Sequence, residues 1–326
     1  MKHISLLIPE GDSSLSNLEA TYKMFSMTNK SLEQIGKQPL FNIQLVGINL
    51  KARLSNGIFS VTPDITIAEV KQTDLIIIPA IHGEYRQVIE VNREFVPWIM
   101  AQFNKGAEVA SLCIGAFLLA STGLLDGKKC ATHWLAAKEF RELFPDVELI
   151  DDKIITDEHG IYTSGGAYSS LNLNLYLLEK YAGREMAVLS SKIFEIDISR
   201  NNQLPFIIFK GQKDHEDEAI KKAQELIEES YREKLTIDDL CEKIHLGRRT
   251  LERRFKKATS NSVTEYIQRV KIEATKRQLE SSPKSVGEIM YDVGYSDVKS
   301  FRTVFKKITG LTPVDYRNRY QQVGMC

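Results

Sequence analysis

The chain carries no overall charge: Lys and Arg together number 43, and so do Asp and Glu. Spread evenly, those charges would leave no surface able to hold a polyanion. Cysteine is scarce. Cys113, Cys130, Cys241 and Cys326 show no C-x-x-C spacing and no nearby histidine ligand pattern. A zinc site is therefore not indicated, and no metal or cofactor is expected. Long hydrophobic runs are also missing, and none approaches the roughly 20 residues of a membrane span. The first residues, Met1 to Ile8, meet Pro9, Glu10 and Asp12 too soon to form a signal-peptide core. The expected setting is cytoplasmic and reducing, with no membrane partner. What remains, 326 residues with ample apolar content, suffices for two or three domains with real cores.

The charge balance hides a division. From Lys243 to the C-terminus there are 18 Lys/Arg against 8 Asp/Glu, a net of +10, so the preceding residues carry −10. A basic segment joined to an acidic body is the electrostatic footprint of nucleic-acid binding. The same basic segment repeats itself. Ile237-Asp238-Asp239-Leu240, Ile244-His245-Leu246, Leu251-x-x-x-Phe255-Lys256-Lys257, Tyr266 and Arg269 return as Val286-Gly287-Glu288-Ile289, Val293-Gly294-Tyr295, Phe301-x-x-x-Phe305-Lys306-Lys307, Tyr316 and Arg319. The offset is 49 up to Leu246/Tyr295 and 50 from Leu251/Phe301. The slip falls in a turn, where an insertion is tolerated. A duplicated helix-turn-helix predicts two DNA-reading helices in one chain.

Upstream, short apolar runs at Ile4–Ile8, Asn42–Gly47, Leu75–Pro79 and Val109–Cys113 alternate with helical patterns around Leu15–Ile35, Tyr85–Phe103, Ala116–Leu125, Trp134–Leu143 and Ser169–Tyr181. That alternation predicts an α/β layered, mostly parallel sheet flanked by helices. Residues 154–156 and 161–163 read as a hairpin, and Gln203–Phe209 as an apolar stretch closing the domain. The expected boundaries are an α/β sensor and dimerisation domain over 1–210, a polar linker over 211–218, and an all-α DNA-binding domain over 219–326.

Within the last of these, Thr236-x-x-Asp239, Ser262-x-x-Glu265, Ser285-x-x-Glu288 and Thr312-Pro313-x-Asp315 each offer a helix cap, the middle two as full capping boxes. Thr264–Leu279 reads as a rigid connecting helix, able to hold two reading helices about 34 Å apart on successive major-groove faces. These residues resemble the DNA-binding domain of the AraC/XylS regulators over roughly Glu218 to Tyr320. The match includes Arg248-x-x-Leu251-x-Arg253-x-Phe255, Val293-Gly294-Tyr295-Ser296-Asp297 and Thr309-Gly310-Leu311-Thr312-Pro313-x-x-Tyr316-Arg317. Ser260 stands where the family has Gly, and Val263 where it has Pro. Leu251 with Phe255, and Phe301 with Phe305, are i and i+4 and face the core. Arg249, Glu252, Arg253 and Lys256 then point outward, as do Val298, Lys299, Arg302, Thr303 and Lys306. The resemblance implies that these faces enter the groove. Arg249, Glu252, Arg253, Lys299, Arg302 and Thr303 are assigned to base edges, and Lys256 and Lys306 to phosphates.

In the body, Glu108 to Ala120 runs from a strand straight into a helix with Cys113 at the corner and Gly115 two positions on. This is the layout of a nucleophile elbow, where helix N-terminal amides can lower a thiol pKa or face an anion. His133 follows twenty residues later. The region resembles the ThiJ/PfpI family, relatives of class I glutamine amidotransferases, over approximately residues 3–200. The two-part chain resembles its GlxA-type subgroup, fused to an AraC-type reading head. In catalytic relatives the cysteine and histidine correspond to Cys113 and His133. Ser16 occupies the acid position near the first strand, with Glu10, Asp12 and Glu19 nearby, and Ile114 replaces a histidine found in protease-like members. Both departures count against a proton relay, so no catalytic set is assigned.

The resulting expectation is a homodimeric, ligand-responsive transcription regulator, not an enzyme. Its partners would be double-stranded promoter DNA, a small-molecule effector held near Cys113, Ile114 and His133, and RNA polymerase. Two rivals stay open: a Cys113-dependent amidase, peptidase or glyoxalase-like hydrolase, and a redox sensor based on Cys113 oxidation.

Overall fold

A computed structural model describes residues 1–54, 57–233 and 235–321; Cys326 lies outside them. The chain forms two compact units, Met1–Gln203 and Leu204–Cys326.

The first unit is built on seven strands: β1 (Lys2–Ile8), β2 (Phe41–Gly47), β3 (Ile65–Thr66), β4 (Leu75–Ile78), β5 (Glu108–Ser111), β6 (Ile155–Asp157) and β7 (Ile161–Ser164). Their order is β6-β7-β5-β4-β1-β2-β3, parallel throughout except for the β6–β7 hairpin. Leu75 to Ile78 is buried along its whole length, as a strand covered on both faces by helices must be. The helices are α1 (Leu15–Gln34), α2 (Tyr85–Val91), α3 (Phe95–Asn104), α4 (Ala116–Ala120), α5 (Ala137–Leu143), α6 (Ser169–Ala182) and α7 (Arg184–Ile193).

The expected layered sheet is present, with one helix divided. The pattern over Tyr85–Phe103 breaks at Asn92, a fully buried side chain. Its amide donates to the Glu10 carbonyl at 2.9 Å, and its Oδ1 accepts the Glu10 N–H at 2.8 Å. The buried amide exchanges a helical turn for an anchor on the loop after β1, satisfying backbone that would otherwise be buried unpaired.

The second unit contains α8 (Glu218–Glu229), α9 (Ile237–Ile244), α10 (Arg248–Thr259), α11 (Val263–Ser281), α12 (Val286–Asp292), α13 (Val298–Thr309) and α14 (Pro313–Tyr320). One core gathers Ile220, Ile227, Leu240, Leu251, Phe255 and Tyr266. A second gathers Ile272, Leu279, Ile289, Phe301, Phe305 and Tyr316. Helix α11 gives Tyr266 to the first core, and Ile272 and Leu279 to the second. Capping boxes open α9, α11 and α12. The first of these is closed by Asp239, a shorter acid than the usual Glu, whose Oδ2 still accepts the Thr236 N–H at 2.8 Å.

The segment Leu204–Phe209 packs within this second unit. The buried Lys276 ammonium bonds Glu273 at 2.8 Å and donates to the Ile207 carbonyl at 2.6 Å, while the Phe209 N–H donates to Glu273 at 3.1 Å. Phe209 meets Tyr266 edge-on at 5.1 Å, and Phe206 meets Tyr320 at 6.5 Å. The compact units thus divide at Gln203/Leu204, earlier in the chain than the expected boundary at 210. The polar run after it is also held: Lys213 pairs with Glu228 at 2.6 Å, and Asp217 caps α8 and accepts from Arg254.

Each half of the second unit ends two helices in the left-handed backbone region, after α9 and α12 and after α10 and α13. The first half uses His245 (φ 53) and Ser260 (φ 58) there; the second uses Gly294 (φ 77) and Gly310 (φ 73). At Gly294 space is also decisive, because a Cβ would lie 2.4 Å from the Arg232 carbonyl oxygen. Gly294→Ala should destabilise the protein by at least about 1–2 kcal/mol. Ser260→Gly should hold or raise stability by up to about 1 kcal/mol. Thermal melting of the two variants checks both signs.

Candidate ligand crevice and nucleic-acid interface

In the first unit the strand order reverses at β1, which lies between β2 and β4, and the crevice of such a sheet lies beyond the carboxyl ends of its strands. Cys113 follows the end of β5, the strand beyond β4 from β1, with φ 55, a strained conformation for a side chain other than glycine. The corner is pinned on both sides. Ser164 Oγ accepts the Cys113 N–H at 3.1 Å, and Thr132 Oγ1 donates to the Cys113 carbonyl at 3.0 Å. The strand-to-helix corner read from the sequence is therefore present, and its backbone is strained.

Its chemistry differs from the expectation. Cys113 is 4 % exposed and Ile114 8 %. Burial pushes the Cys113 thiol above its ordinary pKa, and this outweighs the Ala167 N–H that donates to Sγ at 3.3 Å. The lowered thiol pKa that the elbow suggested is corrected: desolvation of the thiolate exceeds what the amides supply. The His133 imidazole is held below its usual pKa by burial first and by His82 second. Its Nδ1 accepts the Leu135 N–H at 3.1 Å, which leaves the proton of the neutral ring on Nε2. Among the described residues Cys113 and His133 share no hydrogen bond, so a buried thiol meets no free base.

The ring of His133 instead lies against the loop that reaches the thiol. A Cβ at Gly166 would sit 2.5 Å from His133 Cδ2, so only glycine fits beside the ring. The Gly166 N–H donates to Gln203 Oε1 at 2.8 Å, and Gln203 Nε2 donates to the Thr132 carbonyl at 3.0 Å. The buried Gln203 amide ties both walls of the crevice together, a role no local pattern in the sequence announced. Asn17 on α1 was missed likewise: its Oδ1 accepts the Ala80 N–H at 3.1 Å and its amide donates to Ser170 at 3.1 Å. Of the acid candidates, Glu10 Oε1 accepts from Asn49 at 2.9 Å, Glu19 pairs with Lys23, and Ser16 shares a hydrogen bond with Ser14. Tyr85 stacks on Phe117 at 3.8 Å, and its phenol is raised by burial and by Glu139 and Cys113.

In the second unit, all nine side chains expected at a groove are exposed: Arg249, Glu252, Arg253 and Lys256 on α10, and Val298, Lys299, Arg302, Thr303 and Lys306 on α13. Leu251, Phe255, Phe301 and Phe305 are buried beneath them. Glu252 is engaged by Arg248 at 3.2 Å, and Arg248 also approaches Asp238 at 3.7 Å. Lys256 Nζ donates to the Ser260 carbonyl at 2.8 Å, and Thr303 Oγ1 to the Lys299 carbonyl at 2.8 Å. Arg249, Arg253, Lys299, Arg302 and Lys306 form no ion pair among the described residues, so their charge faces solvent uncompensated.

Comparison with known proteins agrees with both halves. The pattern of the DJ-1/PfpI family matches residues 14–180. The chain belongs to the DJ-1/PfpI family. Residues 240–319 match a helix-turn-helix domain, so this DJ-1/PfpI member carries an AraC-type reading head. It is 27 % identical over 274 residues to the HTH-type transcriptional regulator GbdR of Pseudomonas aeruginosa, covering 81 % of this chain and 71 % of that one. With the HTH-type transcriptional regulator GlxA of Rhizobium meliloti it shares 24 % over 217 residues, 66 % of each. A crystal structure of a THiJ/PfpI family protein from Pseudomonas syringae superposes with a TM-score of 0.50 at 14 % identity, over 82 % of this chain and 88 % of that one, a likeness of fold.

The raised thiol gives a direct prediction. Iodoacetamide should modify native Cys113 slowly at neutral pH, with a rate still climbing beyond about pH 9. Cys130, pushed up to about 12 by burial, should react only on unfolding. Peptide mass spectrometry across a pH series checks this, and a Cys113 rate that levels off near neutrality would contradict it.

Proposed function

We propose that this DJ-1/PfpI family member is a ligand-responsive, DNA-binding transcription regulator, acting in the cytoplasm as a homodimer. Its second unit binds promoter DNA through α10 and α13 together. The observation that carries this reading is the pair of exposed cationic faces, each backed by a buried Leu/Phe or Phe/Phe stripe and each held by the same connecting helix. Excess positive charge on two matched helix faces suits phosphate and base edges at once. The relatives' names support the same reading.

The crevice beside Cys113, Ile114 and His133 is the effector site in this proposal. With the thiol protonated and the imidazole neutral, it suits recognition better than turnover. Binding there acts on DNA affinity or on contact with RNA polymerase only if it differs between two arrangements of the protein. Arg249, Glu252, Arg253, Lys299, Arg302 and Thr303 face base edges, and Lys256 and Lys306 face phosphates.

Two measurements test the reading. Arg302→Ala should weaken binding to a specific duplex by about 1–3 kcal/mol at fixed salt, read by fluorescence anisotropy. Lys306→Ala should weaken all duplexes alike and reduce the salt slope by about one. Unchanged affinity in both variants would remove DNA binding from these helices. Cys113→Ser should leave DNA affinity intact and alter the affinity for an effector found by thermal-shift screening.

A further inference from the structure

The duplication supplies an internal comparison between the two reading helices, fifty positions apart. Lys256 and Lys257 near the end of α10 are matched by Lys306 and Lys307 in α13. The outward positions before them differ in every case: Arg248, Arg249, Glu252 and Arg253 against Val298, Lys299, Arg302 and Thr303. Positions kept in both copies suit a phosphate backbone that is the same under each helix. Positions that diverged suit bases that are not.

Two of the diverged positions on α13 are apolar toward solvent. Val298 is the first helical residue and 47 % exposed. A leading helical residue is where a reading helix meets base edges. Thr303 is exposed, and its hydroxyl is turned back onto the Lys299 carbonyl at 2.8 Å. With that donor occupied the hydroxyl can only accept, and the methyl group is free to meet an apolar partner. The matched residues on α10 are both arginines, and Arg248 there is tied to Asp238 and Glu252. Thymine is the base that carries a methyl group in the major groove, and small apolar side chains recognise it.

Resting on the regulator reading above, we propose that α13 reads thymine through its 5-methyl group, with Val298 and Thr303 as the apolar contacts flanking Arg302. Helix α10 reads by charge and hydrogen bonds alone. The two halves of the site therefore differ in sequence, and the second carries one or two thymines read by their methyl groups.

The test uses the full chain and a duplex that it selects from a random pool. Each thymine of that duplex is replaced in turn by deoxyuridine, which removes only the methyl group. Wild type and the Val298→Ala/Thr303→Ser double variant are compared by anisotropy. The variant keeps the Asp297 cap on the Ser300 N–H and the hydroxyl bond to Lys299, so its melting temperature should match wild type. Wild type should lose about fourfold in affinity for each methyl removed at one or two positions. The double variant should lose less than twofold at those positions. A selected duplex whose thymine methyls are all dispensable, or whose losses are the same in both proteins, overturns the thymine assignment while leaving the regulator reading intact. A chain that enriches no sequence overturns the regulator reading itself, and the thymine assignment with it.

Discussion

Helices α10 and α13 depend on one shared element, α11, which contributes side chains to the core beneath each of them. Its middle is polar and buried, with Lys276 and Glu273 paired at 2.8 Å. A charge pair out of water is costly unless its remaining hydrogen-bonding capacity is used, and here the backbone of Ile207 and Phe209 uses it. The same contact fixes the connector and captures the segment Leu204–Phe209 against it. Removing one partner of the pair would strand a buried charge and release that segment together.

The crevice of the first unit follows a different rule, in which burial dominates. Helix N-terminal amides and a strained corner are both present at Cys113, yet the thiol sits too deep for them to favour its anion. Among the described residues the histidine and the cysteine each bond backbone amides rather than each other. What the arrangement supplies around the thiol is a set of amide hydrogen bonds, from Gln203, Asn17 and the backbone at Gly166 and Ala167.

Much of this was readable from the sequence wherever a period or a motif recorded it. The strands around Ile76 and Val109 are continuous apolar runs, the second unit repeats itself with matched Leu251/Phe301 and Phe255/Phe305, and the corner at Cys113 is a local strand-to-helix pattern. What escaped was long-range and polar. Asn92 breaks a helix because of Glu10, far away in the chain, and Gln203 joins loops that no spacing connects. The apolar residues of Leu204–Phe209 show that the stretch is buried, but not against which core. The thiol was misjudged for a related reason: a motif reports which dipoles are near, while depth depends on everything packed around it.

The left-handed corner at Cys113 also bears on descent. Backbone geometry there, pinned by Ser164 and Thr132, admits a small unbranched side chain and resists a β-branched one. Any relative that keeps this backbone is confined to a short menu of replacements, cysteine among them. Shape alone thus goes some way to explaining why a cysteine stands there, separately from any part the sulfur plays in holding an effector.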